Sequence, residues 1–145
     1  MVEELRRAGY WVDASDIADH GFGDTGIDFL TSAPEQEYAA IVTNPPFDLA
    51  RLFIARALDL TRATGGKVAM IQRHEFDAPA HNRPLFDHPY AMKLILHKRP
   101  RWIDGPDTSS PRFPYAWYIW DHQWIGEPVT RWLPDPDKEP NGRLL

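Results

Sequence analysis

Cysteine is absent from the 145 residues, which excludes disulfides, thiolate zinc sites and cysteine nucleophiles. No apolar run approaches the roughly 20 residues that a membrane-crossing helix needs. The opening Met1-Val2-Glu3-Glu4-Leu5-Arg6-Arg7 is charged and amphipathic and has no signal-peptide apolar stretch. A cytoplasmic location without membrane contact is therefore expected. The six histidines, His20, His74, His81, His88, His97 and His122, show neither i, i+4 pairing nor HExxH, so no metal site is expected. A nucleophile elbow and a P-loop are also lacking, which leaves hydrolase and nucleotide-triphosphatase templates without a foothold. Internal repeats and low-complexity tracts do not occur.

What is present suits a globular α/β chain: 43% apolar and 26% charged residues, enough for one domain with a sizeable core. The net charge of −5 is unevenly spread. Residues 1–66 carry five Arg against eleven acids, whereas residues 67–112 carry eight Lys and Arg against five. The basic surplus is compatible with a local phosphate-contacting surface and equally with ordinary surface variation.

Apolar spacing predicts a short helix over Val2 to Gly9, a strand over Tyr10 to Ser15 and an acidic turn over Asp16 to Asp19. A Gly-rich loop follows to Gly26, then a short strand or edge segment to Leu30. Tyr38 to Thr43 reads as a strand. Leu49, Leu52, Phe53, Ala57, Leu58 and Leu60 mark a helix from Leu49 to Ala63, with Asp48 as its N-cap and Gly65-Gly66 as its stop. Lys67 to Gln72 is a nearly continuous apolar strand of the kind buried in a parallel sheet. Strand, helix and strand within about thirty residues make a βαβ unit. His74 to Pro89 reads as loop, Ala91 to His97 as strand and Lys98 to Pro114 as a long connection. Tyr115 to Trp120 is apolar on both faces, so it is expected in the sheet interior. From Asp121 the proline-dotted chain is expected to be irregular.

The most informative stretch is Ala39 to Phe47, an apolar run that breaks into Asn44-Pro45-Pro46-Phe47. Two prolines end a strand because neither donates a ladder hydrogen bond, and the residue before them is pushed to extended backbone. A rigid corner results at the strand's C-terminal end, where open α/β sheets bind ligands. It offers an amide side chain, backbone carbonyls and a ring. A planar amine fits such a corner, its N–H groups toward the Asn44 oxygen and the Pro45 carbonyl and its ring against Phe47. The plain alternative is a proline turn with Phe47 in the core.

Other constellations are less specific. Gly21-Phe22-Gly23-Asp24-Thr25-Gly26 spells GxGxxG, but an acidic turn precedes it and no helical period follows, so the dinucleotide context is missing. Asp16 follows a strand candidate, where an acid reaches ribose hydroxyls; a turn or cap role is the alternative. Asp28 beside Phe29 suits an adenine contact or a solvated loop. Lys98-Arg99-Pro100-Arg101-Trp102 with Arg112-Phe113 mixes cations and rings, which suits phosphate contact and base stacking or a solvated loop with Trp102 folded back.

Acid after strand, Asp-Phe, Asn-Pro-Pro-Phe, then helix and apolar strand resembles the S-adenosylmethionine-dependent amino-methyltransferases, most closely the phage- and prophage-type DNA adenine-N6 methyltransferases. The likeness spans roughly residues 1–133, leaving 134–145 as an irregular tail, and Asn44 to Phe47 is its specific motif. It implies a Rossmann-like class I sheet in a single domain, with an antiparallel C-terminal strand. By this resemblance Asp16 and Ile17 meet the cofactor's ribose and adenine, Asp28 and Phe29 line its adenine pocket, and Asn44, Pro45, Pro46 and Phe47 hold the target base. Arg73, Lys98, Arg99, Arg101 and Arg112 are the expected DNA contacts. The family opens with a strand and a Gly-rich loop that wraps the cofactor's methionine portion; here Met1 stands where the next helix begins. An N-terminally truncated sheet is thus expected, its central position closed directly or filled by a second copy as a homodimer. Competing expectations are an inactive remnant or oligomerising module, and a methyltransferase acting on protein or RNA amines.

Overall fold

The computed structural model describes residues 1–97 and 113–133. The chain divides into two compact units, Met1–Gln36 and Glu37–Leu145.

In the first unit, Val2–Arg7 forms helix α1. Glu3 and Glu4 in its first turn and Arg6 and Arg7 in its last complement the helix dipole. Arg7 also pairs with Glu3 at 3.5 Å and with Glu4. The expected strand over Tyr10 to Ser15 does not form. Aromatic and β-branched residues do not make a strand without a partner, and here Arg6 donates to the Val12 carbonyl at 3.0 Å while Trp11 is 74% exposed. Only Ser15–Asp16 (β1) pairs, in parallel with Asp24–Thr25 (β2). Gly23 makes this possible: its φ is +77°, and a Cβ there would lie 2.5 Å from the Ala14 carbonyl oxygen. The segment read as strand to Leu30 is instead a turn closed by hydrogen bonds from Thr31 and Ser32 to the Asp28 carbonyl. No helix opens from Gly26, which removes the dinucleotide context of the GxGxxG string.

The second unit is built on Ala40–Thr43 (β3), Ala50–Arg62 (α2), Lys67–Arg73 (β4), a 3-10 segment over Ala80–Phe86, Tyr90–Ile95 (β5), Tyr115–Asp121 (β6) and Val129–Trp132 (β7). Its five-stranded mixed sheet has the order β3-β4-β6-β5-β7. β3 and β4 run parallel across the α2 crossover, as the βαβ reading expected. β6 lies antiparallel between β4 and β5, so the aromatic strand is interior, as its two apolar faces imply. The chain after Asp121 is not uniformly irregular. Val129–Trp132 pairs in parallel with β5, and the prolines flanking it mask a β-branched and aromatic edge strand.

Helix α2 buries Ala50, Ile54, Ala57, Leu58 and Thr61, a stripe at helical spacing. Leu49 and Leu52, expected on that face, are exposed. Its N-cap is Leu49, without a side-chain capping bond, so Asp48 does not cap the helix. At the other end Gly65 turns the chain at φ +63°, and the Gly66 N–H donates to the Thr61 carbonyl at 2.9 Å. A Cβ on Gly66 would lie 2.5 Å from the Ala39 carbonyl oxygen, the same oxygen that accepts from the Lys67 N–H. His122 ties the helix to the end of β6: its Nε2 lies 3.1 Å from the Leu58 carbonyl and 3.2 Å from Thr61 Oγ1.

Register assigns Val68 with Trp120 and Met70 with Tyr118 to one sheet face, and all four are fully buried. The 3-10 segment closes that face, its Leu85 carbonyl accepting from Trp120 Nε1 at 2.8 Å. Phe86 packs edge-on to Tyr90 at 4.8 Å and beside Trp120 at 5.8 Å. A charged pair enters this apolar layer. Lys93, 8% exposed, donates to both Asp77 oxygens at 2.9 and 2.7 Å, and Tyr118 donates to the same carboxylate at 3.2 Å. Burial and then the Asp77 charge push the Tyr118 hydroxyl far above its usual range, so it stays a neutral donor. Among the described residues no helix is long and apolar enough to cross a membrane.

Candidate functional site

The Asn-Pro-Pro-Phe corner follows directly from the end of β3. Because β4 is parallel to β3 and β6 is antiparallel to β4, the rim at the C-terminal end of β3 also carries the last residue of β4 and the first of β6. Arg73 and Tyr115 are register partners there, and the His74 N–H continues the ladder to the Pro114 carbonyl at 3.0 Å. Four distant stretches of sequence thus meet on one rim: 44–47, 73–74, 113–115 and the end of β5, where the Leu96 N–H donates to the Tyr115 carbonyl.

Asn44 is exposed, and its amide makes no hydrogen bond among the described residues. Pro45 is buried. The Pro46 carbonyl accepts from the Leu49 N–H at 3.1 Å and starts the helix, whereas the Pro45 carbonyl accepts no hydrogen bond among the described residues. Phe47 is 43% exposed, so it is not a core residue. Its ring stacks on Tyr115 with centroids 5.9 Å apart and planes at 27°. The Arg73 guanidinium lies 5.0 Å from the Phe47 ring centroid and 4.3 Å from that of Phe113. The corner therefore combines two open acceptors, one half-exposed aromatic face and one cation.

Beside it, an open cleft of about 560 Å³ is lined by His74, Asp77, Lys93, Pro114, Thr130 and Trp132. Its one buried cation, Lys93, is already neutralised by Asp77.

The expected cofactor residues lie in the first unit. Asp16 is exposed, and its Oδ1 accepts from the Ala18 N–H at 2.9 Å, a turn geometry that leaves Oδ2 open. Ile17 is exposed. The Ile27 N–H donates to the Asp16 carbonyl at 3.1 Å, which draws the Ile27-Asp28-Phe29 stretch toward Asp16. Asp28 is engaged at both oxygens, with the Leu30 N–H at 2.9 Å and Thr31 Oγ1 at 3.1 Å. Phe29 is half-buried. Of the expected DNA contacts, Arg73 is at the corner, whereas Lys98, Arg99, Arg101 and Arg112 lie outside the described residues, as does the tail over 134–145.

Sequence reasoning did not find the bracketing of Arg73 by Phe47 and Phe113. The only signal in the sequence was the register of two apolar strands more than forty residues apart. Searches of the chain against family models and against curated proteins returned no match.

Proposed function

We propose that Asn44-Pro45-Pro46-Phe47 holds an exocyclic amine for methyl transfer from S-adenosylmethionine, with adenine N6 in DNA as the acceptor. The observation that carries this reading is the pair of unengaged acceptors, Asn44 Oδ1 and the Pro45 carbonyl, beside the half-exposed Phe47 ring. A hydrogen-bonding carbonyl left without a donor inside a fold is uncommon. An –NH2 group has two hydrogens to give, and adjacent Asn44 and Pro45 offer two oxygens that meet no donor among the described residues. The antiparallel strand β6 set between β4 and β5 supports the finer fold reading of a Rossmann-like methyltransferase sheet, and a DNA substrate would place the protein in the cytoplasm.

The chemistry asked of the chain is modest. The adenine amino nitrogen is a poor nucleophile because its lone pair is delocalised into the ring. Asn44 and the Pro45 carbonyl, by accepting both hydrogens, favour a pyramidal nitrogen and localise that pair, which is stabilisation aimed at the transition state. Asn44 is no base, so the proton leaves to solvent after transfer. Extracting the base from a duplex costs a few kcal/mol, and stacking on Phe47, worth about 1–3 kcal/mol, offsets part of it.

S-adenosylmethionine supplies the methyl group when bound. The residues of the first unit fit it in part: Asp16 keeps an open carboxylate oxygen for a ribose hydroxyl, while Asp28 keeps only the lone pairs not already engaged by Leu30 and Thr31. A second arrangement is favoured by one observation: among the described residues β3 is an edge strand of its sheet, and no strand pairs with its outer side. A second copy adding a strand along β3 would pair that edge.

The test is transfer of labelled methyl from S-adenosylmethionine to DNA, RNA and protein. DNA is expected to take the label, and Asn44→Ala is expected to lower the rate by about 10²–10³-fold, as for loss of one oriented hydrogen-bonding group. Label in protein alone would transfer the corner to a glutamine-type amide. No label in any acceptor, with no heat on titration of S-adenosylhomocysteine, would leave the inactive remnant.

A further inference from the structure

We infer that the first unit, Met1–Gln36, is a docking surface for a basic protein segment, with Tyr10, Trp11 and Phe22 as its apolar anchors. This stands apart from the methyl-transfer reading and from the Asn44 corner.

The unit lacks a core. Among the described residues, which include all of 1–36, it buries none, and six of its large apolar side chains are exposed. Its sheet is the two-residue pair β1 and β2. An isolated pair of strands is marginal in water, and units below about 40 residues seldom bury enough surface to offset the ordering of their chain.

Arg6 nevertheless gathers the exposed rings. Its guanidinium donates to the Val12 carbonyl at 3.0 Å and lies 5.4 Å from the Phe22 ring centroid. The Tyr10 N–H donates to the Leu5 carbonyl at 3.1 Å, which holds the Tyr10-Trp11 stretch against the end of α1. The segment bearing Tyr10 and Trp11 and the loop bearing Phe22 thus meet around one cation. These three side chains are 65%, 74% and 46% exposed. Apolar groups scattered singly over a surface need no explanation, whereas a gathered set marks an interaction site. Trp and Tyr are also the side chains that most often anchor protein interfaces.

Charge selects the partner. Residues 1–36 carry eight Asp and Glu against two Arg. Both arginines are engaged within the unit, Arg7 by Glu3 and Glu4 and Arg6 by Phe22 and Val12. Asp19 and Asp24 flank Phe22 in the chain, and no cation pairs with either among the described residues. A nucleic acid or an anionic lipid surface is repelled by this excess, and so is a second copy presenting the same face. A protein segment with Lys or Arg bordering an apolar stripe satisfies the rings and the carboxylates together.

The experiment titrates the full chain into fluorescent amphipathic helical peptides that share one Leu pattern and carry Lys, Gln or Glu at every polar position. Binding is read by anisotropy, and the mass of the chain alone by sedimentation. The Leu/Lys peptide is expected to bind about tenfold tighter than the Leu/Gln peptide, and the Leu/Glu peptide weakest. Trp11→Ala is expected to weaken Leu/Lys binding about 30-fold, the loss of an aromatic anchor. Tyr10→Ala is expected to weaken it about tenfold, so the test stands even where Trp11→Ala does not fold. Asp19→Asn combined with Asp24→Asn is expected to lower the preference for Lys over Gln about threefold, as for two exposed charge pairs. No binding of the Leu/Lys peptide, equal binding of all three, or wild-type affinity in both ring variants overturns the inference. A dimer dissolved by Trp11→Ala assigns the rings to a second copy, and ring-dependent binding to phosphatidylglycerol vesicles assigns them to a membrane; either result overturns it as well.

Discussion

Replacing Phe47 by Ala separates binding from folding. The ring is 43% exposed, so its removal leaves little cavity. What the fold loses is an offset ring contact with Tyr115, worth about 0.5–1.5 kcal/mol, and a cation–π contact with Arg73, worth about 0.5–1 kcal/mol at an exposed position. The folded state should therefore weaken by no more than about 2.5 kcal/mol. Binding loses the stacking surface for the base, about 1–3 kcal/mol, which is roughly five- to 150-fold in affinity. Phe47→Trp keeps a larger ring face and should bind as well as the wild type. The assay pairs urea unfolding of each variant with fluorescence titration of an oligonucleotide carrying 2-aminopurine, whose emission is quenched on stacking. If Phe47→Ala quenched and bound like the wild type while remaining folded, the ring would play no part in holding a base and the corner assignment would fail.

Four further outcomes follow from the packing. Gly66→Ala drives a Cβ to within 2.5 Å of the Ala39 carbonyl and should cost about 1–3 kcal/mol in urea unfolding, as for overpacking. Trp120→Ala empties the layer beneath the 3-10 segment and frees the Leu85 carbonyl; a loss of about 3–5 kcal/mol is expected. Lys93→Met strands the Asp77 carboxylate, and Asp77→Asn on that background should recover part of the lost stability, since the orphaned charge is the cost. For Asp121 burial works upward, but the hydrogen bonds from Lys67 and Gln123 and the Lys67 charge outweigh it and hold the carboxyl below its ordinary 3.8. A depressed folded value means that its contribution is complete above that pH and fades as pH falls through the lower one. Asp121→Asn should therefore unfold at lower urea than the wild type at pH 6, with the gap closing toward pH 3.

The second unit was more legible than the first. The βαβ unit over 38–72 and the interior position of Tyr115 to Trp120 followed from runs whose apolar faces match their burial. The Asn-Pro-Pro break gave the corner because proline is readable without tertiary context. Tyr10 to Ala14 has the aromatic and β-branched residues of a strand but no partner strand among the described residues, and a strand exists only where another accepts its hydrogen bonds. Ile54, spaced from Ala57, Leu58 and Thr61, completes the buried stripe, whereas Leu49 and Leu52 lie on an exposed flank although they match helical spacing as well. Val129–Trp132 was lost between prolines. The turn alternative for Asp16 and the loop alternative for Asp28 agree with the local hydrogen bonds each accepts, from the Ala18 N–H and the Leu30 N–H. Arg73 is expected at the site only through the resemblance, since the approach of Phe47 and Phe113 to it depends on a register that no local pattern reports.

The direction of β6 has an evolutionary corollary. Because that strand starts where β4 and β5 finish, the chain leaves the sheet after Ile95 and returns at Tyr115 along the same margin that bears Asn44. Insertions or deletions between Leu96 and Pro114 would lengthen or shorten that connection while every ladder partner keeps its neighbour. Length changes there are uncoupled from the mutations that decide whether the sheet assembles.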